Sequence, residues 1–167
     1  YLAFELDAQA FQRTFRRRPQ LLTEGLNVTV PYKEKAAKKV HRLLPEAKAI
    51  GAVNTLFLKK GKWIGANTDV SGFAYSLKND GHFRARGKDV LILGAGGSAR
   101  AVVYALGSAG ARTIRIANRT PSRARTLIKK FQKKFRKTRF EILPVHSAVL
   151  RGVLSKTDLV VNTTSLG

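Results

Sequence analysis

The sequence predicts an α/β chain: a doubly wound parallel sheet preceded by a smaller α/β unit. Three observations predict it. Residues 89–101 read D-V-L-I-L-G-A-G-G-S-A-R-A, an apolar run, a glycine-rich turn and the start of a helix. An apolar run without alternation suits a strand buried on both faces of a parallel sheet. Beyond it, strands near 112–117, 140–143 and 159–161 alternate with helical stretches, which is the doubly wound pattern. Before it lie shorter strands and helices, closed by a polar stretch from Asn79-Asp80-Gly81 to Lys88 that reads as a junction. Two units are expected, 1–79 and 80–167.

The elements follow in order. Residues 1–6 read as a strand, and Asp7 as the cap of a helix carrying Phe11 and Phe15 on one face until Pro19. Residues 26–30 alternate, with Val28 and Val30 on one face and Asn27 and Thr29 on the other. Pro31 stops the ladder and opens a helix over 32–44. Residues 50–58 read as a strand, Lys59-Lys60-Gly61-Lys62 as a hairpin turn, and Trp63-Ile64-Gly65 as its return. A helix runs from Asp69 to about Lys78. After the glycine-rich turn, helices are expected over 99–106, 121–136 and 149–154.

The turn 94–99 matches G-x-G-x-x-A, a dinucleotide fingerprint, in its required strand–turn–helix setting. Gly94 allows the tight turn, Gly96 allows close approach of a pyrophosphate, and Ala99 allows close helix–strand packing. The backbone of Ala95, Gly97 and Ser98 completes the turn, and the helix N-terminus offers unpaired N–H groups to phosphates. An NAD site usually places an acid about 20 residues further on, for the ribose 2′-hydroxyl. Here the segment is Asn118-Arg119-Thr120-Pro121-Ser122-Arg123, without a carboxylate. Arg119 and Arg123 could bracket a 2′-phosphate, with Thr120 as a hydroxyl donor, which favours NADP.

Two further residues stand out. Lys33 sits near a helix N-terminus, where the dipole disfavours the ammonium form, and this suits either an acid–base lysine or a solvated one. Asp69 is placed either to cap its helix or to serve a site.

Composition narrows the classes. There is no cysteine, hence no disulfide framework and no cysteine metal site. His41, His82 and His146 are isolated, so no metal is assigned. No run is long and apolar enough for a membrane span and no signal peptide opens the chain, so a cytoplasmic protein without a membrane partner is expected. The chain lacks methionine altogether, and both ends read as cut from inside a longer chain. Its 32 basic and 10 acidic residues give a formal charge of +22. Such an excess attracts anions. The bases are dispersed and no aromatic-interleaved motif accompanies them, so a generally basic surface is expected rather than a nucleic-acid site.

Six segments in order resemble the shikimate dehydrogenase family. They are residues 27–33 (N-V-T-V-P-Y-K), 51–55 (G-A-V-N-T), 65–69 (G-A-N-T-D), 94–99, 118–120 and 162–167 (N-T-T-S-L-G). The resemblance implies a Rossmann-type NADP-binding domain preceded by a substrate domain, both incomplete here. It implies reversible reduction of 3-dehydroshikimate to shikimate with NADPH, in aromatic amino acid biosynthesis. By the same resemblance Lys33 and Asp69 are catalytic, and Thr29 and Asn54 join them in binding substrate. The turn 94–99 and Asn118, Arg119, Thr120 and Arg123 bind NADP. The family's first strand and S-x-S segment fall before Tyr1, and further nucleotide-domain strands fall beyond Gly167. The 167-residue chain alone is therefore expected to be inactive, and its parent a monomer or homodimer. The alternatives are a quinate/shikimate paralogue using NAD, a basic nucleic-acid-binding protein with a Rossmann-like core, and a noncatalytic remnant.

Overall fold

The structure, a computed structural model, describes residues 3–16 and 24–164. The strands form two four-stranded sheets.

The first sheet contains β1 (Gly25–Asn27), β2 (Arg42–Leu43), β3 (Thr55–Lys59) and β4 (Lys62–Ala66), in the order β1-β3-β4-β2. It is mixed: β1 and β4 run antiparallel to β3, while β2 runs parallel to β4. The β3–β4 hairpin turns on Lys60 and Gly61, both with positive φ (51° and 69°). Two such residues make the type I′ turn whose twist matches the strands. Around this sheet lie α1 (Ala8–Arg16), α2 (Lys33–Ala37) and α3 (Pro45–Ile50). Ala36, Ala47, Val53, Leu56 and Trp63 form its core. Phe11 of α1 stacks on Tyr32 with ring centroids 4.3 Å apart. Asp7 caps α1 as expected, accepting the N–H of Gln9 at 2.8 Å and of Ala10 at 2.7 Å.

Four expectations for this half are corrected. Residues 3–6 form no strand. The helix expected over 32–44 is only α2. Its chain then turns, β2 pairs with β4, and Leu44 adopts an extended ψ of 158°. A residue before proline is pushed out of the helical region, and Pro45 instead opens α3. Gly51, with φ 68°, ends α3, so β3 begins at Thr55 rather than near residue 50. Similarly β1 stops at Asn27, and Val28 to Val30 leave the ladder before a cis Val30–Pro31 bond. The expected stop of the first helix at Pro19 lies outside the described residues.

The second sheet is wholly parallel, with β5 (Asp89–Leu93), β6 (Thr113–Ala117), β7 (Arg139–Leu143) and β8 (Leu159–Asn162) in the order β7-β6-β5-β8. Its connections are α5 (Gly97–Ser108), α6 (Pro121–Phe131) and α7 (Ser147–Leu154). Val90, Ile92, Ile114 and Ile116 are fully buried, as the apolar runs required. The helix α4 (Asp69–Asn79) leads from one sheet toward the other. Its Val70 enters this second core, with Phe73 and Leu77 packed against it. The helix expected to reach residue 136 stops at Phe131. A turn there brings Phe135 back onto Tyr104 (centroids 5.6 Å apart) and Phe131 (6.1 Å). Gly107 leaves room for that ring, since a Cβ there would stand 2.5 Å from it. Among the described residues no helix is long and apolar enough to cross a membrane.

At the N-terminal edge of this sheet and in the middle of β7, described acids are engaged in ion pairs. Asp89 accepts from Arg112 Nε at 2.8 Å, and Glu141 accepts from Arg115 Nε at 2.8 Å. Asp158 accepts the Asp89 N–H at 2.8 Å and Lys88 Nζ at 3.0 Å. The bond from Arg112 lowers the carboxyl pKa of Asp89, and the backbone N–H of Asp89 lowers that of Asp158. A lowered folded-state pKa means stability that is present above the ordinary carboxylate value of about 4 and lost as pH falls through the lowered value. Urea midpoints should therefore fall between pH 5 and pH 2.5, and Asp158→Asn should flatten that fall while lowering stability at pH 7.

Candidate active site

Lys33 is the first residue of α2, and Asp69 the first of α4. Lys33 Nζ donates to Asp69 Oδ2 at 2.8 Å and lies 3.5 Å from Ser98 Oγ. The two side chains are 13% and 27% exposed, so the pair is sheltered yet open on one side. Asp69 does not cap its helix. Thr68 holds that position without a side-chain cap bond, which leaves the Asp69 carboxylate free to face Lys33. Its charge still sits in the first turn, where the helix dipole favours it.

Two asparagines hold Asp69, Asn54 by its carboxylate and Asn67 by its backbone N–H. Asn54 Nδ2 donates to Asp69 Oδ1 at 2.8 Å and to Thr68 Oγ1 at 2.9 Å. Its Oδ1 accepts the Thr68 N–H at 3.0 Å and the Thr55 hydroxyl at 2.9 Å. Asn67 is 5% exposed. It accepts the Asp69 N–H at 2.9 Å and donates to the Ala52 carbonyl at 3.2 Å. Asn67 and Thr68 carried no role in the sequence reading, although both stood inside the G-A-N-T-D segment. Thr29 is exposed on the turn that leads into α2, where its carbonyl accepts the Tyr32 N–H at 2.9 Å. Among the described residues no side-chain hydrogen bond ties Thr29 to the Lys33–Asp69–Asn54 network.

The glycine-rich turn faces Lys33 from the other sheet. Gly94 has φ 107°, and a Cβ there would stand 2.5 Å from Thr163 Oγ1. Thr163 is itself held, donating from its N–H (2.8 Å) and hydroxyl (2.7 Å) to the Leu93 carbonyl. Gly96 caps α5 with extended backbone, and a Cβ there would meet no protein atom, so the backbone is open to a ligand. At Gly97 a Cβ would stand 3.0 Å from Lys33 Cβ. Ala95 and Ala99 are buried beneath the turn. The helix begins at Gly97, two residues before the expected start.

A cleft of about 560 Å³ runs here, bordered by Lys33, Gly96, Ser98, Arg123 and Thr163 among others. Asn118, Arg119 and Thr120 follow the C-terminal end of β6. Asn118 Nδ2 donates to the Thr120 carbonyl at 2.8 Å, closing the loop ahead of α6. Arg119 and Arg123 are exposed, but only Arg123 borders the cleft. Strand order reverses beside β5, and crevices at the C-terminal ends of strands at such a point take dinucleotides. The bare backbone at Gly96, the α5 N-terminus and the basic loop fit a dinucleotide with a 2′-phosphate. A further ion pair, with no counterpart in the sequence motifs, borders the site. Arg100 bonds Glu34 Oε2 at 2.6 Å, joining α5 to α2. Its signal was legible, because Arg100 is the one charged residue in the otherwise apolar α5.

A parallel sheet with a nucleotide turn, facing a lysine–carboxylate pair from a mixed sheet, defines an NAD(P)-binding α/β chain with its own substrate-side unit. More narrowly, the chain belongs to the shikimate/quinate 5-dehydrogenase family. The family described as "Shikimate / quinate 5-dehydrogenase" matches residues 77–166, and "Shikimate dehydrogenase substrate binding domain" matches residues 1–56. The shikimate dehydrogenase (NADP(+)) of Geobacter metallireducens is 42% identical over 143 residues, covering 86% of this chain and 50% of the relative. The crystal structure of the Aquifex aeolicus shikimate dehydrogenase is 40% identical with a TM-score of 0.84, covering 100% of this chain and 58% of that one. The Thermus thermophilus shikimate 5-dehydrogenase, crystallised with NADP(H) and shikimate, is 33% identical with a TM-score of 0.76, covering 95% and 54%. The chain thus spans about half the length of the curated relative.

Gly94→Ala should strain the turn and press on Thr163. The expected cost is about 1–3 kcal/mol, read as a lower urea midpoint with an unchanged slope.

Proposed function

We propose that the protein containing this chain is an NADP-dependent shikimate dehydrogenase, interconverting 3-dehydroshikimate and shikimate. The observation that carries this reading is the Lys33–Asp69 pair at 2.8 Å, set 3.5 Å from Ser98 of the nucleotide turn. Residues 1–79 are assigned to substrate and 80–167 to NADP. The amides of 94–99 would hold the pyrophosphate, and Asn118, Arg119, Thr120 and Arg123 the 2′-phosphate end. Bound NADPH supplies a hydride to the carbonyl carbon. Lys33 donates a proton from Nζ to the carbonyl oxygen as it becomes a hydroxyl, and takes that proton back in the reverse direction. Asp69 holds Nζ at the reacting oxygen. Asn54 has both amide protons and its carbonyl already engaged, so it would meet a substrate hydroxyl by exchanging its contact with Thr68. Thr29, exposed at the mouth of α2, offers a further hydroxyl. NADP is favoured over NAD because residues 118–123 hold two arginines and no acid. Residues 1–167 alone are proposed to be inactive, their relatives being about twice as long.

The test is shikimate-dependent reduction of NADP, followed as NADPH absorbance, in the longest natural chain that contains residues 1–167. Quinate, NAD and residues 1–167 alone run alongside. Lys33→Ala should lower kcat by about 10²- to 10⁴-fold with NADPH affinity kept. Replacing Arg119 and Arg123 by Ala should raise the KM for NADP about tenfold and leave that for NAD unchanged. A folded protein that binds NADPH but turns over none of these pairings would overturn the reading.

A further inference from the structure

Lys33 is delivered by a helix of only five residues, whose C-terminal end runs directly into a turn. So short a helix does not hold itself in place. What holds it against the nucleotide half is specific. Arg100, four residues beyond the first helical turn's cap at Gly96, lies on α5 and reaches across to α2. Its Nη2 donates to Glu34 Oε2 at 2.6 Å, and its Nη1 to the Ile50 carbonyl at the end of α3 at 3.4 Å. The arginine side chain is 13% exposed. One guanidinium therefore grips two helices of the substrate side, α2 and α3, from the nucleotide side.

The position of this grip matters for the site. Glu34 follows Lys33 in sequence, and Arg100 lies two residues after Ser98, the residue 3.5 Å from Lys33 Nζ. Gly97 and Lys33 already approach so closely that a Cβ on the glycine would stand 3.0 Å from the lysine's own. A second cation, Lys130 of α6, lies beside Arg100 and packs over Gly51. Glu34 thus faces both cations, Arg100 through the ion pair and Lys130 through its charge. A sheltered arginine that loses its partner carboxylate is left with uncompensated charge.

We infer that Arg100 is a positioning residue: through Glu34 it fixes the register of α2 against α5 and so sets the Lys33 ammonium over the nucleotide turn. The inference rests on the dehydrogenase reading for its kinetic consequence, but not for its structural one. Positioning errors of an ångström can cost a hundredfold in rate. The pair acts as one unit, so losing either partner loses the grip.

The experiment is a double-mutant cycle with Arg100→Gln and Glu34→Gln, which keep side-chain length and remove charge, in the longest natural chain that contains residues 1–167. Each single variant should lower kcat for shikimate oxidation about ten- to a hundredfold, with the KM for shikimate within about threefold. The double variant should be no worse than the poorer single one. Labelling of Lys33 by an amine-directed reagent, read by mass spectrometry, should be several-fold faster in all three. Three results would overturn the inference: multiplicative losses in the double variant, unchanged Lys33 labelling, or Arg100→Gln raising only the KM for NADP, as a mere phosphate contact would. If the unsubstituted protein lacks turnover, the dehydrogenase reading fails, and the labelling alone still decides whether the grip exists. Should a glutamine variant not fold, Arg100→Lys and Glu34→Asp carry the same comparison.

Discussion

Asp69 ties three segments together with one carboxylate. One oxygen takes Lys33 from α2, the other takes Asn54 from the turn before β3, and its own N–H is held by Asn67. The short helices of the substrate side have little internal stability, and their arrangement depends on such contacts. Asp69 also opens α4, which packs into the nucleotide-side core through Val70, Phe73 and Leu77. The same residue thus anchors the lysine and begins the helix that connects the two sheets. The lysine's approach to Ser98 and Gly97 is a consequence of that geometry.

The charge balance makes this economy visible. With 10 acids against 32 bases, a carboxylate is scarce in this chain. Asp69, Glu34, Asp89, Asp158 and Glu141 are all held in ion pairs, and Asp7 caps a helix. The paired ones stand at junctions: between α2 and α4, between α2 and α5, and across the strands of the parallel sheet. The basic residues are distributed widely, and those that border the cleft create a field suited to an anionic ligand.

Much of this was legible from residue order. The strand–glycine–helix unit could be read because Val90 to Leu93 is apolar throughout and Gly94 and Gly96 sit where backbone must turn or stay bare. Parallel order followed from the alternation of strands with helices. The substrate side was read less well. A run such as 32–44 looks helical until Pro45 forces Leu44 out of the helical region and a two-residue strand finds β4, and that pairing is nonlocal. Asp69 could be either cap or site acid by spacing alone; only the fold, by giving the cap position to Thr68, separates the two. Pairs such as Glu34–Arg100, 66 residues apart, leave no local trace beyond a lone charge in an apolar helix.

The central claim is that Lys33 is held by Asp69 at the point where substrate meets the nucleotide turn. A crystal structure of the longest natural chain that contains residues 1–167, with NADP+ and shikimate bound, tests it most directly. The account predicts Lys33 Nζ within hydrogen-bond distance of both the oxidisable hydroxyl and Asp69, with the pyrophosphate on the amides of 94–99. Shikimate bound away from Lys33, or a lysine turned out to solvent with Asp69 left to cap α4, would contradict it.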